Sequence, residues 1–557
     1  MASVTALAPG LVASGLAHQC EGRFSPAEQC YLAALRLDPG NAQATYLMGL
    51  LALQSGNAEG AMAYLSRVIA ARTDDPDALY NMGMAHVLAL DLGESERWFR
   101  KAVAVDPDHT AAHFGLGNLE RLLGRGEAWP AHYLAGIRSA RATPKMASSA
   151  LVALHSNPDV SLDELYALHR EWERRFAAAS YAHWQSHAND RSPHRPLRVG
   201  FVSSGFNADI VGHFLRGVMR ALTVRADVEA YLYANSVTTD WLTAELKQST
   251  DRWCDIAPLG DHEAAARIRA DRIDILIDLN GHAPGHRLLV FALRPAPVQA
   301  SWLDYFDTTG LEAIDYLITD PVSSPADGAQ RYVERLIHMP SVRLCFTAPP
   351  FAPAVAPPPA LRSGRIAFGS FTRADKIGAG VVAVWARILA AVPGSTLILK
   401  GETLKFPQVR ERFERGFSEA GIEPKRLELR TPSSHEELLA EYADVDVALD
   451  PFPYNGGATT CDAMWMGVPV VARLGTSMIS RQSAMMLQAV GMQELVARGD
   501  DEYVDIAASI SLDLPRLHSL RRELRPAMAA SPLCDAEGFA DALMQRLRRV
   551  WDEWCGT

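Results

Sequence analysis

The sequence predicts an all-α repeat array followed by two α/β lobes. Three observations lead to this prediction: positions in the first 125 residues recur every 34 residues, strand-like and helix-like segments alternate afterwards, and a proline-rich stretch divides that second part. A chain of 557 residues is also too long for one core, since ~150 residues per domain is typical. We expect repeats at 1–125, a helical connector at 126–195, a first lobe at 196–348, a hinge at 349–363 and a second lobe at 364–557.

The composition is that of a soluble globular protein without a polyanionic partner. Hydrophobic residues make up 48% and charged residues 21%, and the formal net charge of −11 gives no electrostatic reason to bind nucleic acid or an anionic membrane. The seven cysteines form no C-x-x-C pair, and their odd number suits a reducing compartment. No apolar run approaches the ~20 residues of a membrane span, and no basic signal-peptide region opens the chain. We therefore expect a cytoplasmic protein that contacts neither nucleic acid nor membrane.

A 34-residue period organises the first 125 residues. Four glycines keep this interval: Gly15, Gly49, Gly83 and Gly117. Tyr46, Tyr80 and Phe114 keep it as well. Small residues such as Gly49 and Ala61 indicate that two helices of one unit approach closely. The pattern resembles the tetratricopeptide repeat, with three clear units and a partial unit before them.

Such repeats stack into a solenoid with a concave face. We expect this face to bind a protein partner or acceptor. The alternative is a packing or dimerisation arm, which would make the protein a homodimer.

The sequence of the connector predicts an amphipathic helix and no metal site. Its apolar stripe consists of Leu162, Leu165, Leu168, Trp172 and Phe176. Its scattered histidines, which fit no metal-ligand spacing, are His169, His183, His187 and His194.

The first lobe alternates strands and helices at the pace of a doubly wound parallel sheet. The predicted strands are 196–202, 230–233, 273–279 and 316–319, with helices from Phe214 and at 264–272. Ligands of such sheets bind at the carboxyl ends of the strands. Three loops at those ends are therefore of interest: 209–213, 280–282 and 302–310.

The hinge and the second lobe follow. Six prolines between 349 and 359 exclude a helix or a strand there, which indicates a semi-rigid linker. Strands are then predicted at 366–371, 396–399, 426–429 and 445–449, and helices at 381–391, 481–490 and 536–554.

The stretch 450–470 is the strongest candidate for a ligand site. Asp450 ends an apolar run, Asn455, Gly456 and Gly457 form a small-residue loop, and Thr459 and Thr460 stand where a helix should begin. Bare backbone N–H groups at a helix N-terminus, assisted by hydroxyls, bind phosphate. We expect the diphosphate of a sugar nucleotide here. The alternative is an ordinary βα turn with an N-cap threonine.

Two similar lobes with a cleft between them describe the GT-B architecture, and nearly the whole chain resembles the bacterial protein O-GlcNAc transferase family. The resemblance rests on residues 197–203, 291–299, 371–376 and 450–469, which occur in the family's order. It implies an inverting transfer of a sugar from a UDP-sugar, UDP-GlcNAc in the family, to Ser or Thr of a protein. It also implies that neither a cofactor nor a metal is needed. By analogy with repeat-fused transferases, flagellin or another surface protein is a candidate acceptor.

The resemblance assigns roles in the second lobe. Lys376 matches the lysine that contacts the donor phosphates, Thr459 and Thr460 match the phosphate-binding threonines, and Asp462 matches a ribose-binding carboxylate. His435 lies where some members contact the nucleoside. The expected donor-binding set is Lys376, His435, Asn455, Gly456, Gly457, Thr459, Thr460 and Asp462.

The first lobe departs from the family pattern in two loops. Asp209 stands where the family carries a histidine proposed as the base, and His213 follows four residues later, so the expected catalytic set is Asp209 or His213 together with Lys376. The family's Gly-Tyr-Pro-Gly-Thr is replaced by 304–308, which adds two carboxylates beside the sugar region and leaves the sugar open. The expected sugar and acceptor loop is His282, Asp304, Tyr305, Asp307 and Thr308.

These departures leave other functions open. The chain could be a decayed transferase that serves as a repeat scaffold, or a flagellin-type protein glycosyltransferase that uses another sugar. Transfer to a lipid or a glycan is disfavoured because no membrane-binding helix is evident.

Overall fold

A computed structural model describes residues 7–126, 128–192, 194–250 and 252–556. The chain forms two compact units. One comprises Met1–Met146 with Thr403–Arg412, and the other comprises Ala147–Glu402 with Phe413–Thr557. The predicted domain boundaries themselves stay a prediction. No helix in the described ranges is both long and apolar enough to cross a membrane.

The first unit consists of helix pairs that keep the 34-residue period. In its described residues the paired helices are Ala8–Cys20 and Phe24–Leu37, Ala42–Gln54 and Ala58–Ala71, Pro76–Leu88 and Leu92–Val105, and Thr110–Leu122 and Trp129–Arg138. A Cβ added to Gly49 would lie 3.0 Å from Leu65 Cγ, so the predicted close approach of two helices is confirmed. The first pair is complete, although the sequence predicted a partial unit, because Val12 replaces the aromatic residue of later units.

The connector supplies the helices that open the second unit. They are Pro144–Leu154 and Leu162–Trp172, followed by a π-helical turn at Glu173–Ala177 and a 3₁₀ turn at Ala178–His183. The predicted apolar stripe is buried at Leu165, Leu168 and Trp172. This face packs against the first α/β lobe, where Trp172 meets the ring of His282 edge-on at 4.9 Å.

The first lobe carries a parallel sheet. In the described ranges its strands are β1 (Leu197–Ser203), β2 (Val228–Ala234), β3 (Trp253–Asp255), β4 (Ile275–Asp278), β5 (Val298–Ser301), β6 (Tyr316–Thr319) and β7 (Arg335–His338). Their order is β3-β2-β1-β4-β5-β6-β7. The intervening helices are Ile210–Thr223, Trp241–Gln248, Asp261–Ala270 and Leu288–Ala292. The predicted parallel sheet is confirmed, but β5 was missed because it buries Gln299, whose amide donates to the carbonyls of Phe291 and Ala313.

The second lobe carries another parallel sheet of the same kind. Its described strands are β8 (Ala367–Ser370), β9 (Thr396–Lys400), β10 (Leu427–Arg430), β11 (Val447–Leu449), β12 (Val470–Arg473) and β13 (Val496–Ala497), in the order β10-β9-β8-β11-β12-β13. The helices around it are Ala379–Ala391, Pro407–Glu419, His435–Glu441, Ala458–Trp465, Gln482–Ala489, Asp500–Leu512, Leu514–Ala529 and Ala536–Gly556. The last helix returns to the first lobe, where Phe539 stacks on Trp302 with ring centroids 5.5 Å apart.

The linker between the lobes contains a short helix that the sequence did not predict. Residues 352–358 are extended, but Ala360–Ser363 form one helical turn after the last proline. Pro359 precedes this turn, a position at which proline is tolerated because no helical N–H bond is lost there. Gly364 ends the turn in the left-handed conformation, at φ 67°.

Candidate active site

A cavity of about 330 Å³ lies between the two lobes. The first lobe lines it with Ile210, Phe214, Leu303, Asp304, Phe306 and Leu344. The second lobe contributes Phe371, Thr372, Arg373, Lys376, Lys400, Gly401, Glu402, Pro432, Ser433, Leu438, Tyr454, Gly457, Ala458, Thr459, Ile479 and Gln482. Several of these residues follow the carboxyl ends of β5, β8, β9, β10 and β11, where ligands of parallel sheets bind.

The loop after β11 is held in place by its own hydrogen bonds. The backbone N–H of Gly456 donates to the Asp450 carboxylate at 2.7 Å, and the side-chain amide of Asn455 donates to the Pro451 carbonyl at 3.0 Å. A Cβ at position 456 would lie 2.3 Å from the Thr460 hydroxyl oxygen, so only glycine fits. The helix that follows begins at Ala458, which confirms the predicted loop and helix start.

Lys376 lies beside this loop on a 3₁₀ turn after β8. Its ammonium group donates to the carbonyl of Asn455 at 2.9 Å and lies 4.1 Å from the centre of the Tyr454 ring. Burial, reinforced by Arg373, lowers the pKa of Lys376 below its ordinary value, while the Asp450 carboxylate opposes this shift.

The predicted threonines and Gly457 occupy different positions around the helix start. Gly457 and Thr459 line the cavity. Thr460 is buried behind them, with its hydroxyl 3.2 Å from that of Ser483. Thr459 is therefore the hydroxyl that a ligand can reach directly.

His435 and Asp462 of the second lobe, the residues expected to bind the nucleoside, are joined by a hydrogen bond and lie outside the cavity lining. The His435 ring donates through Nε2 to the Asp462 carboxylate at 3.1 Å. Burial raises the pKa of Asp462, and the hydrogen bond from His435 opposes that shift. His213 of the first lobe lies against this pair, with its ring 5.1 Å from that of His435. Burial lowers the pKa of His213 to about 4, and its Nδ1 has no hydrogen-bond partner in the described chain.

The two first-lobe carboxylates differ in their surroundings. Asp209 is exposed and caps the Ile210–Thr223 helix, because its Oδ1 accepts from the N–H of Ile210 at 2.8 Å. Asp304 is half-buried in the cavity wall. Burial, followed by the negative charge of Asp209, raises the pKa of Asp304 to about 7.

The remaining residues of the predicted sugar loop lie off the cavity wall. Each of them is buried and has a protein partner. His282 donates to the Thr309 carbonyl at 2.8 Å and accepts from Ser148 at 2.8 Å. The Thr308 hydroxyl donates to Glu334 at 2.6 Å. These contacts hold the loop, and Asp304 alone of the predicted sugar-loop set lines the cavity.

One group of metal-type ligands occurs among the described residues: His155, His169 and Asp307, whose ligand atoms lie within 4.8 Å of one another. His155 Nε2 is 3.4 Å from Asp307 Oδ2, and His169 accepts from the Tyr305 hydroxyl at 2.6 Å. Burial lowers the pKa of His169 to about 4 and raises that of Asp307 to about 7, which favours neutral partners. We interpret the group as a neutral hydrogen-bonded cluster that supports the 304–308 loop.

Two polar residues that the sequence did not predict connect the lobes at the cavity. Arg343 is buried and donates to the Leu303 carbonyl at 2.9 Å and to the Gln482 side chain. Gln482 in turn donates to the Gly456 carbonyl at 3.0 Å. No local sequence motif marks either residue, because their role depends on the approach of the two lobes.

Comparisons with known proteins agree with this architecture. The model of glycosyl transferase family 41 matches residues 165–346 and 359–543, and a tetratricopeptide repeat model matches residues 12–76. A protein of Petunia hybrida named "Probable UDP-N-acetylglucosamine--peptide N-acetylglucosaminyltransferase SPINDLY" is 38% identical over 412 residues, which cover 73% of this chain and 44% of that protein. The Arabidopsis thaliana protein of the same name is 36% identical over 409 residues, covering 71% and 43%. The chain thus spans less than half the length of these relatives.

Among solved structures, a mutant O-GlcNAc transferase of Thermobaculum terrenum matches the chain with a TM-score of 0.83. The two are 36% identical, and the match covers 93% of this chain and 99% of the other. The predicted combination of repeats with two GT-B lobes is therefore confirmed.

Proposed function

The chain belongs to glycosyl transferase family 41, and we propose from this premise that it transfers a sugar from a nucleotide donor to Ser or Thr of a protein. The observation that carries the proposal is the anion site of the second lobe. A buried lysine with a lowered pKa, a loop held by hydrogen bonds and a helix N-terminus meet at one cavity. Such a site suits the diphosphate of a nucleotide sugar and the charge that develops when it leaves.

We propose that the transfer inverts the anomeric centre and uses no metal or other cofactor. Lys376 and the N–H groups of Gly457 and Ala458 lie where they can stabilise the departing diphosphate. Neither Asp462 nor His435 lines the cavity, but the two side chains are hydrogen-bonded to each other at its second-lobe side. We propose that this pair binds the ribose hydroxyls, as the family resemblance implies. Because these groups supply positive charge at the leaving group, activity should persist in excess EDTA. A loss of activity that Mg²⁺ or Mn²⁺ restores would contradict metal independence.

UDP-GlcNAc is the first donor to test, since the names of the relatives give that donor. The Asp304 carboxylate in the cavity wall can also contact sugar hydroxyls, so donors with other sugars belong in the same screen.

We propose that the repeat unit selects the protein acceptor. Mass spectrometry of flagellin co-expressed with the chain would test one candidate acceptor, and unmodified flagellin would exclude it.

The reaction is tested with the whole 557-residue chain, labelled nucleotide sugars and host lysate. Lys376→Ala should lower transfer at least ~100-fold, as expected when a group that stabilises the leaving charge is removed. Lys425→Ala is the matched control, because Lys425 is exposed and its ion pair among the described residues is with Glu423. The proposal would be refuted if neither sugar transfer nor donor hydrolysis occurred with any of the donors.

A non-catalytic scaffold is the second candidate, and one observation favours it. Neither Asp209 nor His213, the two expected bases, lines the cavity. Calorimetry with UDP separates the candidates, since a decayed site should show no saturable binding.

The free thiols of all seven cysteines also lead us to propose a reducing, cytoplasmic location, which fractionation of the tagged protein would test.

A further inference from the structure

Asp304 presents a carboxyl group to the cavity without a protein partner. Its backbone N–H donates to the Leu279 carbonyl at 3.3 Å, but its carboxylate makes no hydrogen bond or ion pair with any residue that the structure describes. Polar groups that are largely removed from water normally have a partner. Asp307, three residues later, follows that rule, because it accepts from the Thr308 N–H at 2.7 Å and contacts His155. The Asp304 carboxylate can therefore accept a hydrogen bond from a ligand in the cavity.

The chain is strained immediately before Asp304. Leu303 has φ 89°, in a region that residues with side chains rarely adopt. Buried Arg343 holds this conformation by donating to the Leu303 carbonyl at 2.9 Å. Strain that the surrounding structure maintains is common where a side chain must be presented to a substrate. Here the residue so presented is Asp304.

Asp304 and the proposed phosphate site line the same cavity from different lobes. Asp304 follows β5 of the first lobe, whereas Lys376, Gly457 and Thr459 belong to the second. In an inverting displacement the hydroxyl attacks the face of the sugar opposite the leaving group. The group that takes its proton must therefore face the phosphate site across the sugar.

The charged groups around Asp304 shift the pKa of its carboxyl group. Asp209 and Asp278 raise its pKa, while Arg343 and Arg373 lower it. With burial as the largest cause, the outcome is a pKa of about 7. A base of this strength is ionised near neutral pH and still accepts a proton effectively.

Asp209 and His213, the two bases expected from the sequence, lie in less suitable positions than Asp304 for accepting the hydroxyl proton. Asp209 is exposed, is absent from the cavity wall and is committed to capping a helix. His213 is buried against His435 and is absent from the cavity wall as well. Asp209 instead acts on Asp304 as a neighbouring negative charge.

We propose that Asp304 is the general base of the transfer, an inference that rests on the proposed function. The acceptor oxygen forms a bond to the anomeric carbon while the bond from that carbon to the phosphate oxygen breaks. The bonding electron pair leaves with the nucleoside diphosphate. The hydroxyl proton passes to the Asp304 carboxylate and is later lost to solvent.

The test is the pH profile of the transfer rate in three versions of the 557-residue chain. The wild type should gain activity as the pH rises through about 7, because the base must be ionised. Asp304→Asn should lose at least ~100-fold in kcat and retain UDP affinity, a size typical of general-base removal. Asp209→Asn should retain activity and move the rise to lower pH, because removing a neighbouring negative charge lowers the pKa of Asp304.

Three outcomes would overturn the proposal. If Asp304→Asn keeps kcat and the pH dependence but raises the donor KM, Asp304 binds the sugar instead. If Asp209→Asn abolishes transfer while Asp304→Asn does not, Asp209 is the base. A wild type inactive with every donor overturns the proposed function and this inference together. Asp304→Ser, with its melting temperature and UDP affinity measured in parallel, separates loss of chemistry from loss of folding.

Discussion

The two walls of the cavity differ in how their backbone is held: hydrogen bonds fix the second-lobe loop, whereas a strained turn presents Asp304 on the first-lobe wall. On the second-lobe wall, hydrogen bonds run from Gly456 to Asp450, from the Asn455 side chain to the Pro451 carbonyl and from Lys376 to the Asn455 carbonyl. Asp450 Oδ2 and Asn455 Oδ1 are buried and have no partner among the described residues. On the first-lobe wall, Asp304 stands without a protein partner on a strained turn. We propose that the fixed loop of the second-lobe wall binds the diphosphate, the constant part of the donor. We propose that the Asp304 carboxylate makes its hydrogen bond only when sugar and acceptor are bound.

The largest effect expected from breaking this comparison is at Gly456. In Gly456→Ala the new Cβ would lie 2.3 Å from Thr460 Oγ1 and 2.9 Å from Asp450 Oδ1, so the loop must shift. UDP affinity, measured by calorimetry, should fall at least ~10-fold because displaced N–H groups no longer converge on the phosphate. Gly380→Ala is the control, since a Cβ there meets no atom within 4 Å. Unchanged affinity in Gly456→Ala would refute the idea that the loop must be rigid.

A smaller effect is expected at the connection between the walls. Arg343→Met removes the donor to the Leu303 carbonyl and to Gln482, and leaves these buried acceptors unpaired. We expect a melting temperature lower by several degrees and a reduced transfer rate, because Leu303 can relax and withdraw Asp304 from the cavity. Arg343→Lys should recover part of both losses, since lysine restores one donor.

If Arg343→Met lowered the melting temperature but left the transfer rate and its pH profile unchanged, Arg343 would serve stability alone. Both quantities can be measured on the same preparation, by differential scanning fluorimetry and by the transfer assay.

The smallest effect is expected at Asp307, the partnered carboxyl of the same loop. Burial raises its folded-state pKa to about 7, above the unfolded value, so its protonated form favours the folded state and stability falls as the pH rises from about 4 to about 7. Asp307→Asn removes this cost. Its melting temperature should exceed that of the wild type by ~2–4 °C at pH 8 and should differ little at pH 4.

The transfer assay complements that measurement. Asp307→Asn should leave the rise of the rate with pH near 7 in place, in contrast to Asp304→Asn. An Asp307→Asn protein that lost this rise would show that the two carboxyls act together.

The second-lobe wall could be predicted from the sequence to a large extent. Asp450, the small residues at 455–457 and the threonines after them are close in the chain, and local rules for turns and helix starts apply to them. The first-lobe wall could not be predicted in the same way. Whether Asp304, Asp307 or His282 faces the cavity depends on partners such as Ser148 and His155 that are remote in sequence.

In the fold, too, features set by local sequence could be predicted and features set by remote partners could not. The 34-residue period and the alternation of strands and helices predicted the helix pairs and both sheets. The strand β5 was missed because it buries Gln299, whose partners become visible only in the folded chain. The bridge from Arg343 to Gln482 was missed for the same reason. The strands β3, β7 and β13 were missed as well, and β3 and β13 have only three and two residues.

The proposed function requires that the second-lobe wall binds the diphosphate of a nucleotide. Titration of UDP into the wild-type chain tests this binding directly. Bound phosphate should raise the lowered pKa of Lys376, so binding should take up a proton near pH 8 and the affinity should fall as the pH rises further. Calorimetry in buffers of different ionisation enthalpy should show one saturable site with proton uptake, and Lys376→Ala should lose that uptake. Absence of saturable binding, for UDP and for other nucleoside diphosphates alike, would contradict the account.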